Sequence, residues 1–506
     1  MAENETDASN LASREGVTSA ERYLAKLCKR SFLSLWSYSC VYRDQGQTNT
    51  RGNGKELCDL LVVFDNHILI FSDKDCEFKD SEDANLEWSR WYRKAIRRSA
   101  DQVFGAERWI KSFPKRIFLD RECQVPFPID LPTLDKAIIH RIVVAHDGAR
   151  KCRESLGGSG SLMLSNALEG DEHLTSPFTI GRVSPDRGFI HVFDDTTLNV
   201  VMRQLDTITD FVEYLTKKEA LMMGAIRIFA AGEEELLARY LARLNDKMEH
   251  DFMIPKDSDA IWIDQGFWLK FLRSPEHRAQ VEANEISYAW DSLIDKFAHH
   301  AITGTQYIPG GPLREQERGL RIMARENRTR RRMLSAAIHG VIGRSINSGS
   351  AFDARVIFPS RDGDPYYVFV CAKRYATFTE PDYREARQKL LMNYCYTVRL
   401  KWPDAQTVVG IATESGLKEN RSEDMICFEA SKWTAEDDAY ARELQEHFPL
   451  LKDMRMTRGV TQEYPVDHRG ISSEKMQSRN ARCKCGSGKR FRYCCGRKFY
   501  PTKRRG

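Results

Sequence analysis

The chain has 506 residues, 42% hydrophobic and 10% aromatic, enough for roughly two to four packed domains and too apolar for wholesale disorder. No apolar run approaches the ~18–20 residues of a membrane span, and residues 1–16 lack the apolar stretch of a signal peptide, so a cytoplasmic protein without a membrane span is expected. Net charge is +5, from 77 basic and 72 acidic residues, but residues 482–506 hold ten Lys or Arg and no acid, so the rest of the chain carries −5 and any anionic partner is sought first at that tail.

Taken in order, residues 1–16 read as a flexible tail. A helix begins near Ser19, with Leu24, Leu27, Cys28 and Leu35 at helical spacing and Glu21 in its first turn. The polar stretch Gly46–Gly54 precedes two apolar runs, Leu57 with Leu60–Phe64 and then Ile68–Phe71. Asp65-Asn66 marks the turn of a hairpin between them. A long Arg- and Trp-rich helix is predicted over Glu87–Ile110, with strands at Arg116–Leu119 and Arg141–Ala145. This order suits a small α/β domain over 17–150.

Residues 151–325 read as mainly helical. Leu198–Leu215 and Lys217–Leu244 are helices, and Trp262, Trp268 and Trp290 are candidate core anchors. After the break at Pro309–Pro312, a basic helix spans Gln316–Ala337 and carries Arg328, Arg330, Arg331 and Arg332. Its cations suit a solvated face better than a phosphate grip. Residues 326–450 read as a second α/β domain, with strands Val356–Phe358, Tyr366–Ala372 and Thr407–Ala412 around a helix over Asp382–Leu400. A final helix covers 435–448, and 451–480 is polar and reads as a linker.

The densest chemistry lies at 481–506. Cys483 and Cys485 stand one residue apart, followed by Gly486-Ser487-Gly488, Phe491, and the pair Cys494-Cys495. Four thiolates around a glycine turn can close a tetrahedron on one Zn²⁺, and a segment this short depends on the metal for its fold. The pattern resembles the SEC-C motif, found at the C-terminus of the preprotein translocase SecA and in other bacterial proteins. The resemblance implies a structural zinc knob held by Cys483, Cys485, Cys494 and Cys495, and a possible protein partner for it. The other nine cysteines are expected to be reduced thiols, many of them buried.

The hairpin carries the second constellation. Asp59 opens one strand, and Ser72-Asp73-Lys74 closes the next. Carboxylates that hold Mg²⁺ or Mn²⁺, with a lysine to stabilise charge on a phosphate, are the inventory of metal-dependent phosphodiester cleavage. Glu21 and Gln102 are candidate supporting residues, and Arg93, Arg97 and Arg98 can face a nucleic-acid backbone. In element order and hairpin chemistry, residues 17–150 resemble the PD-(D/E)XK nuclease superfamily. That resemblance aligns Asp59 with the family's first acid and Lys74 with its lysine. The family places an acid two residues before the lysine, where this chain has Ser72. Asp73 is adjacent instead, and alternation along a strand turns neighbours to opposite faces unless a bulge intervenes. Charged strand ends are also ordinary where strands meet solvent. The whole chain further resembles a group of bacterial proteins in which such a module precedes a SEC-C knob.

Residues 355–415 echo the hairpin and helix of the first domain, with Lys373 in the place of Lys74 and Cys371 and Ala372 before it. This reads as a degenerate, non-catalytic copy or as coincidence. The expected molecule is therefore a multidomain α/β protein. It has a restriction-endonuclease-like N-terminal module, a helical middle, a second small α/β module and a C-terminal zinc knob. The expected function is a metal-dependent nuclease on DNA or RNA, with a non-catalytic zinc-binding interaction scaffold as the alternative.

Overall fold

The computed structural model describes most of residues 22–466, together with 489–490; within 22–466 the longest stretches outside the description are 27–30, 45–53, 307–312 and 417–420. Glu21 and the cysteines Cys483, Cys485, Cys494 and Cys495 lie outside the described residues. The described residues form a mixed α/β protein with three sheets.

In the first sheet, β1 (Ser37–Arg43), β2 (Lys55–Phe64) and β3 (His67–Lys74) form an antiparallel meander. The turn at Asp65-Asn66 joins β2 to β3, and Asp65 takes the left-handed conformation (φ 54°) that a tight turn needs. A helix, α1, then crosses over as Ala84–Trp91, a π-helical stretch Tyr92–Arg97, and Arg98–Ser112. Asp83 caps it by accepting from the Leu86 backbone N–H. After the short β4 (Ile117–Phe118), the strand β5 (Ile138–Ala145) pairs parallel to β3, from His67–Ile138 through Lys74–Ala145. Leu60–Phe64 of β2 and Ile68–Asp73 of β3 are buried without a break, because both faces of this sheet are covered.

The expected boundary at 150 is not where this sheet ends. Its last strand is β8 (His191–Phe193), parallel to β5, so the sheet order is β4-β1-β2-β3-β5-β8. The helix α2 (Gly148–Leu156) and the strands β6 (Met163–Glu169) and β7 (Thr179–Arg182) lie between β5 and β8. Besides its helices, the middle holds strands that the sequence reading did not place. Strands β6, β7, β9 (Arg227–Ala230) and β10 (Ala260–Ile263) form a second sheet in the order β10-β9-β6-β7. The helix expected over Lys217–Leu244 is interrupted by β9, leaving α3 (Asp195–Gln204), α4 (Ile208–Met223) and α5 (Glu233–Leu241) around it. Trp290 is fully buried as expected, but Trp262 is 69% exposed, because alternation on β10 turns it outward beside Phe229.

The basic helix is two helices, α6 (Leu313–Ala324) and α7 (Arg328–Asn347). The arginines at the start of α7 form neither a solvated face nor a phosphate grip. Arg328 bridges Asp206 and Asp291, each at 2.8 Å, and Arg331, 1% exposed, binds Asp291 at 2.7 Å and the carbonyls of Ala324 and Glu326. The third sheet runs β11 (Phe352–Ile357), β12 (Tyr366–Ala372), β13 (Thr407–Glu414), β14 (Glu423–Glu429), with the helix α8 (Glu380–Lys401) crossing between β12 and β13. Its antiparallel β11–β12 pair, helix and parallel β13 follow the same order of connections as β2–β3, α1 and β5. Alternation on β12 splits its side chains. Tyr367, Phe369 and Cys371 join the core shared with the first two sheets, and Tyr366, Val368 and Val370 pack under α8. Part of the expected linker is docked as well: Glu463 accepts from Gln280, and Arg332 donates to the Gln462 carbonyl at 2.9 Å. No described helix is long and apolar enough to cross a membrane.

Candidate functional site at the end of the hairpin

Register decides which side chains meet. Strand β3 pairs with β5 without a bulge to its last residue, so Ser72, Asp73 and Lys74 oppose Val143, Val144 and Ala145 in turn. Alternation then places Ser72 and Lys74 on one face and Asp73 on the other. The hydrogen bonds agree. Ser72 Oγ lies 3.2 Å from Gln102 Oε1 on α1, which covers the first face. Asp73 Oδ1 lies 2.6 Å from His146 Nε2, and His146 follows Val144 by two residues and shares its face.

Asp59 stands one step beyond the Leu60–Phe71 pair, opposite Ser72, where the β2–β3 ladder ends. Its Oδ2 accepts from the Asp73 backbone N–H at 2.6 Å. The hairpin end therefore gathers Asp59, Ser72, Lys74 and Gln102, and of Asp73 it takes the main chain rather than the carboxylate. Of the expected catalytic set, Asp59, Lys74 and Gln102 come together on one face, Asp73 is turned from it, and Glu21 is outside the described residues. The expectation that Asp73 and Lys74 act in one site is thus corrected, for the physical reason that β3 stays regular.

The Asp73 carboxylate is nearly inaccessible, with 2% of its side chain exposed, and His146 is 17% exposed. Burial alone would lower the His146 pKa. The bond and charge of Asp73, with Asp195 and Asp75, outweigh it and raise the pKa above the usual histidine value. The loop carrying His146 is held from beneath by Trp91, whose Nε1 donates to the carbonyls of Cys76 (3.1 Å) and His146 (3.2 Å). Cys58, beside Asp59, is buried, and burial, then the charges of Asp59 and Glu56, push its thiol pKa well up.

The exposed side of α1 extends this face. Arg93, Lys94 and Arg98 are exposed and carry no ion pair among the described residues, while Arg97 pairs with Asp171. Lys94, Arg98 and Gln102 lie four apart and lead along the helix to Ser72. A cleft of about 370 Å³ elsewhere, lined by Arg318, Arg321 and Arg325, offers no such surplus. Those three are paired with Glu429, Glu317 and Asp65.

Sequence reading passed over a group of buried acids where the first sheet meets the middle. Asp194 caps α3 and is raised to about 6, and Glu234 is raised to about 7, each chiefly by burial. Glu234 accepts from Ser161 Oγ at 2.6 Å, and Glu233 binds Lys218 at 2.6 Å and Tyr214 at 2.7 Å. No spacing rule joins Asp194 to Glu233 and Glu234, since they come from separate elements. All are satisfied within the core, and their part is to join elements. Comparison with protein-family models, with curated proteins and with solved structures finds no match.

Proposed function

We propose that the N-terminal module is a nuclease-like domain that holds a nucleic-acid backbone without cleaving it, in a protein whose C-terminal cysteines form a structural zinc knob for a further partner. The observation that carries this reading is the unbroken register of β3. It leaves one carboxylate, Asp59, on the face with Lys74 and Gln102, and puts the hydroxyl of Ser72 where a second carboxylate would complete a divalent-metal site. The same face continues into Lys94 and Arg98, cations free to meet phosphates. Metal-dependent hydrolysis of DNA or RNA stands as the second reading, favoured by the shared face of Asp59, Lys74 and Gln102.

One experiment separates them. Purified chain is incubated with labelled single- and double-stranded DNA and RNA, with Mg²⁺ or Mn²⁺ and with chelator, and both binding and cleavage are followed. The expected result is salt-dependent binding without cleavage. Lys94→Glu/Arg98→Glu should weaken that binding about tenfold or more at low salt, since two phosphate contacts and their released counterions are lost. Metal-dependent cleavage that vanishes in Asp59→Ala/Lys74→Ala would overturn this reading in favour of the enzyme. Absence of binding to all four substrates would remove both.

A further inference from the structure

On the face of the first sheet opposite α1, three histidines and a glutamate meet. His140 lies on β5 and His191 on β8, where His191 pairs with Ile142 and so shares the His140 face. Glu219 comes from the last turns of α4. The ligand atoms of His140, His191 and Glu219 all lie within 4.8 Å of one another, and His191 Nε2 is 3.8 Å from Glu219 Oε2. We propose that these three side chains form a site for a divalent transition metal of the zinc class.

The first argument is hydrogen-bond accounting. Both imidazoles are completely buried, yet His191 has no partner for either ring nitrogen, and His140 has none for Nδ1. A buried polar atom left unsatisfied costs about 1–3 kcal/mol, and native cores seldom tolerate three in one spot. A cation at the centre of the group relieves two of the three, because His140 Nδ1 and one ring nitrogen of His191 become its ligands.

The second argument is orientation. His140 Nε2 lies 2.9 Å from His67 Nδ1, and their rings stack with 5.2 Å between centroids. If His140 donates from Nε2, its Nδ1 carries a lone pair directed at the cluster. That is the arrangement in which a second histidine fixes the tautomer of a metal ligand. His191 is held in place by Phe189, edge-on at 4.9 Å, and by Phe193, stacked at 6.5 Å.

The third argument is donor chemistry. Two imidazoles and a carboxylate suit zinc and its transition-metal neighbours, whereas Mg²⁺ and Ca²⁺ take oxygen ligands. Ligands of a tetrahedral ion with bonds of about 2.0–2.1 Å stand about 3.3 Å apart, so the set closes on a metal with shifts of about an ångström. Three protein ligands leave a fourth position for water or a small anion. This donor set shares nothing with the four C-terminal thiols, and it lies on the face of the sheet opposite Asp59 and Lys74.

Full-length protein carrying Cys483→Ser/Cys485→Ser, which leaves the histidine cluster untouched, is stripped with chelator and titrated with Co²⁺ and with Zn²⁺. The expected result is about one ion per chain, with visible cobalt bands and no thiolate-to-cobalt charge transfer. Adding His191→Ala should reduce uptake below about one-tenth of an equivalent. Glu219 is partly exposed, so Glu219→Gln should keep the fold, checked by circular dichroism, and weaken binding about tenfold or more. Folded Cys-variant protein that takes up neither ion would overturn the proposal, as would uptake that Glu219→Gln and His191→Ala leave unchanged.

Discussion

Asp73 and Lys74 are adjacent in sequence, yet the first is sealed against His146 and alternation puts the second on the other face, the one α1 covers. A pair of types, acid and lysine, is legible in a sequence. The face each one takes depends on whether the strand is bulged, and no residue type in Phe71-Ser72-Asp73-Lys74 announces that. The same holds for His140 and His191, fifty-one positions apart, which only the parallel pairing of β5 with β8 makes neighbours. The Asp73–His146 contact has a signed consequence for pH. The folded pKa of His146 is raised, so the stability it contributes is full below the unfolded value of about 6.5 and is lost as pH rises through the folded value. Asp73→Asn should therefore destabilise the protein by about 1–3 kcal/mol near pH 5.5 and by less near pH 9. Urea unfolding at the two pH values checks this; an equal loss at both would mean that the bond draws nothing from charge.

At the scale of elements, the hairpin was plain because two continuous apolar runs flank Asp65-Asn66, and α1 because its apolar spacing persists over seven turns. The second sheet was hidden by length: β7, β9 and β10 have four residues each, too few for alternation to rise above the helical pattern around them. The buried arginines of α7 were hidden for a different reason. Charge in sequence reads as surface until its partners are known, and Asp206 and Asp291 come from other elements. The start of α2 shows how tightly elements are set. Asp147 is left-handed (φ 73°), and a Cβ on Gly148 would stand 2.5 Å from the Trp91 ring. Gly148→Ala should push Trp91 off the carbonyls of Cys76 and His146 and cost about 1–3 kcal/mol. A lowered melting temperature with a shift in tryptophan emission is the expected readout, and an unchanged melting temperature would show that the ring yields freely.

At the scale of the whole molecule, the modules pack against one another. The inward face of β12 shares a core with the first sheet, Arg325 grips the hairpin turn at Asp65 with bonds of 2.6 and 2.7 Å, and Trp36 donates to Glu317 at 2.5 Å. The polar stretch after 450 returns to this body through Glu463. Burial opposes its charge, but His250, Thr329 and Gln280 hold its pKa down to about 2. Its contribution is present above the unfolded value of about 4.5 and fades as pH falls toward 2. Glu463→Gln should loosen 461–466 at neutral pH, seen as faster hydrogen exchange there and a stability loss of about 1–3 kcal/mol. Unchanged exchange would place the docking in Arg332 and in Tyr464, whose hydroxyl donates to the Leu241 carbonyl. The late arrival of β8 bears on how the chain is made. During synthesis β5 emerges first, and forty-five residues follow Ala145 before its neighbour on that side begins at His191. Until then the nascent protein presents an open parallel edge, a ready template for pairing with other chains. A fragment cut at the apparent boundary near 150 would keep that edge for good, so the shortest soluble N-terminal piece should run past Phe193.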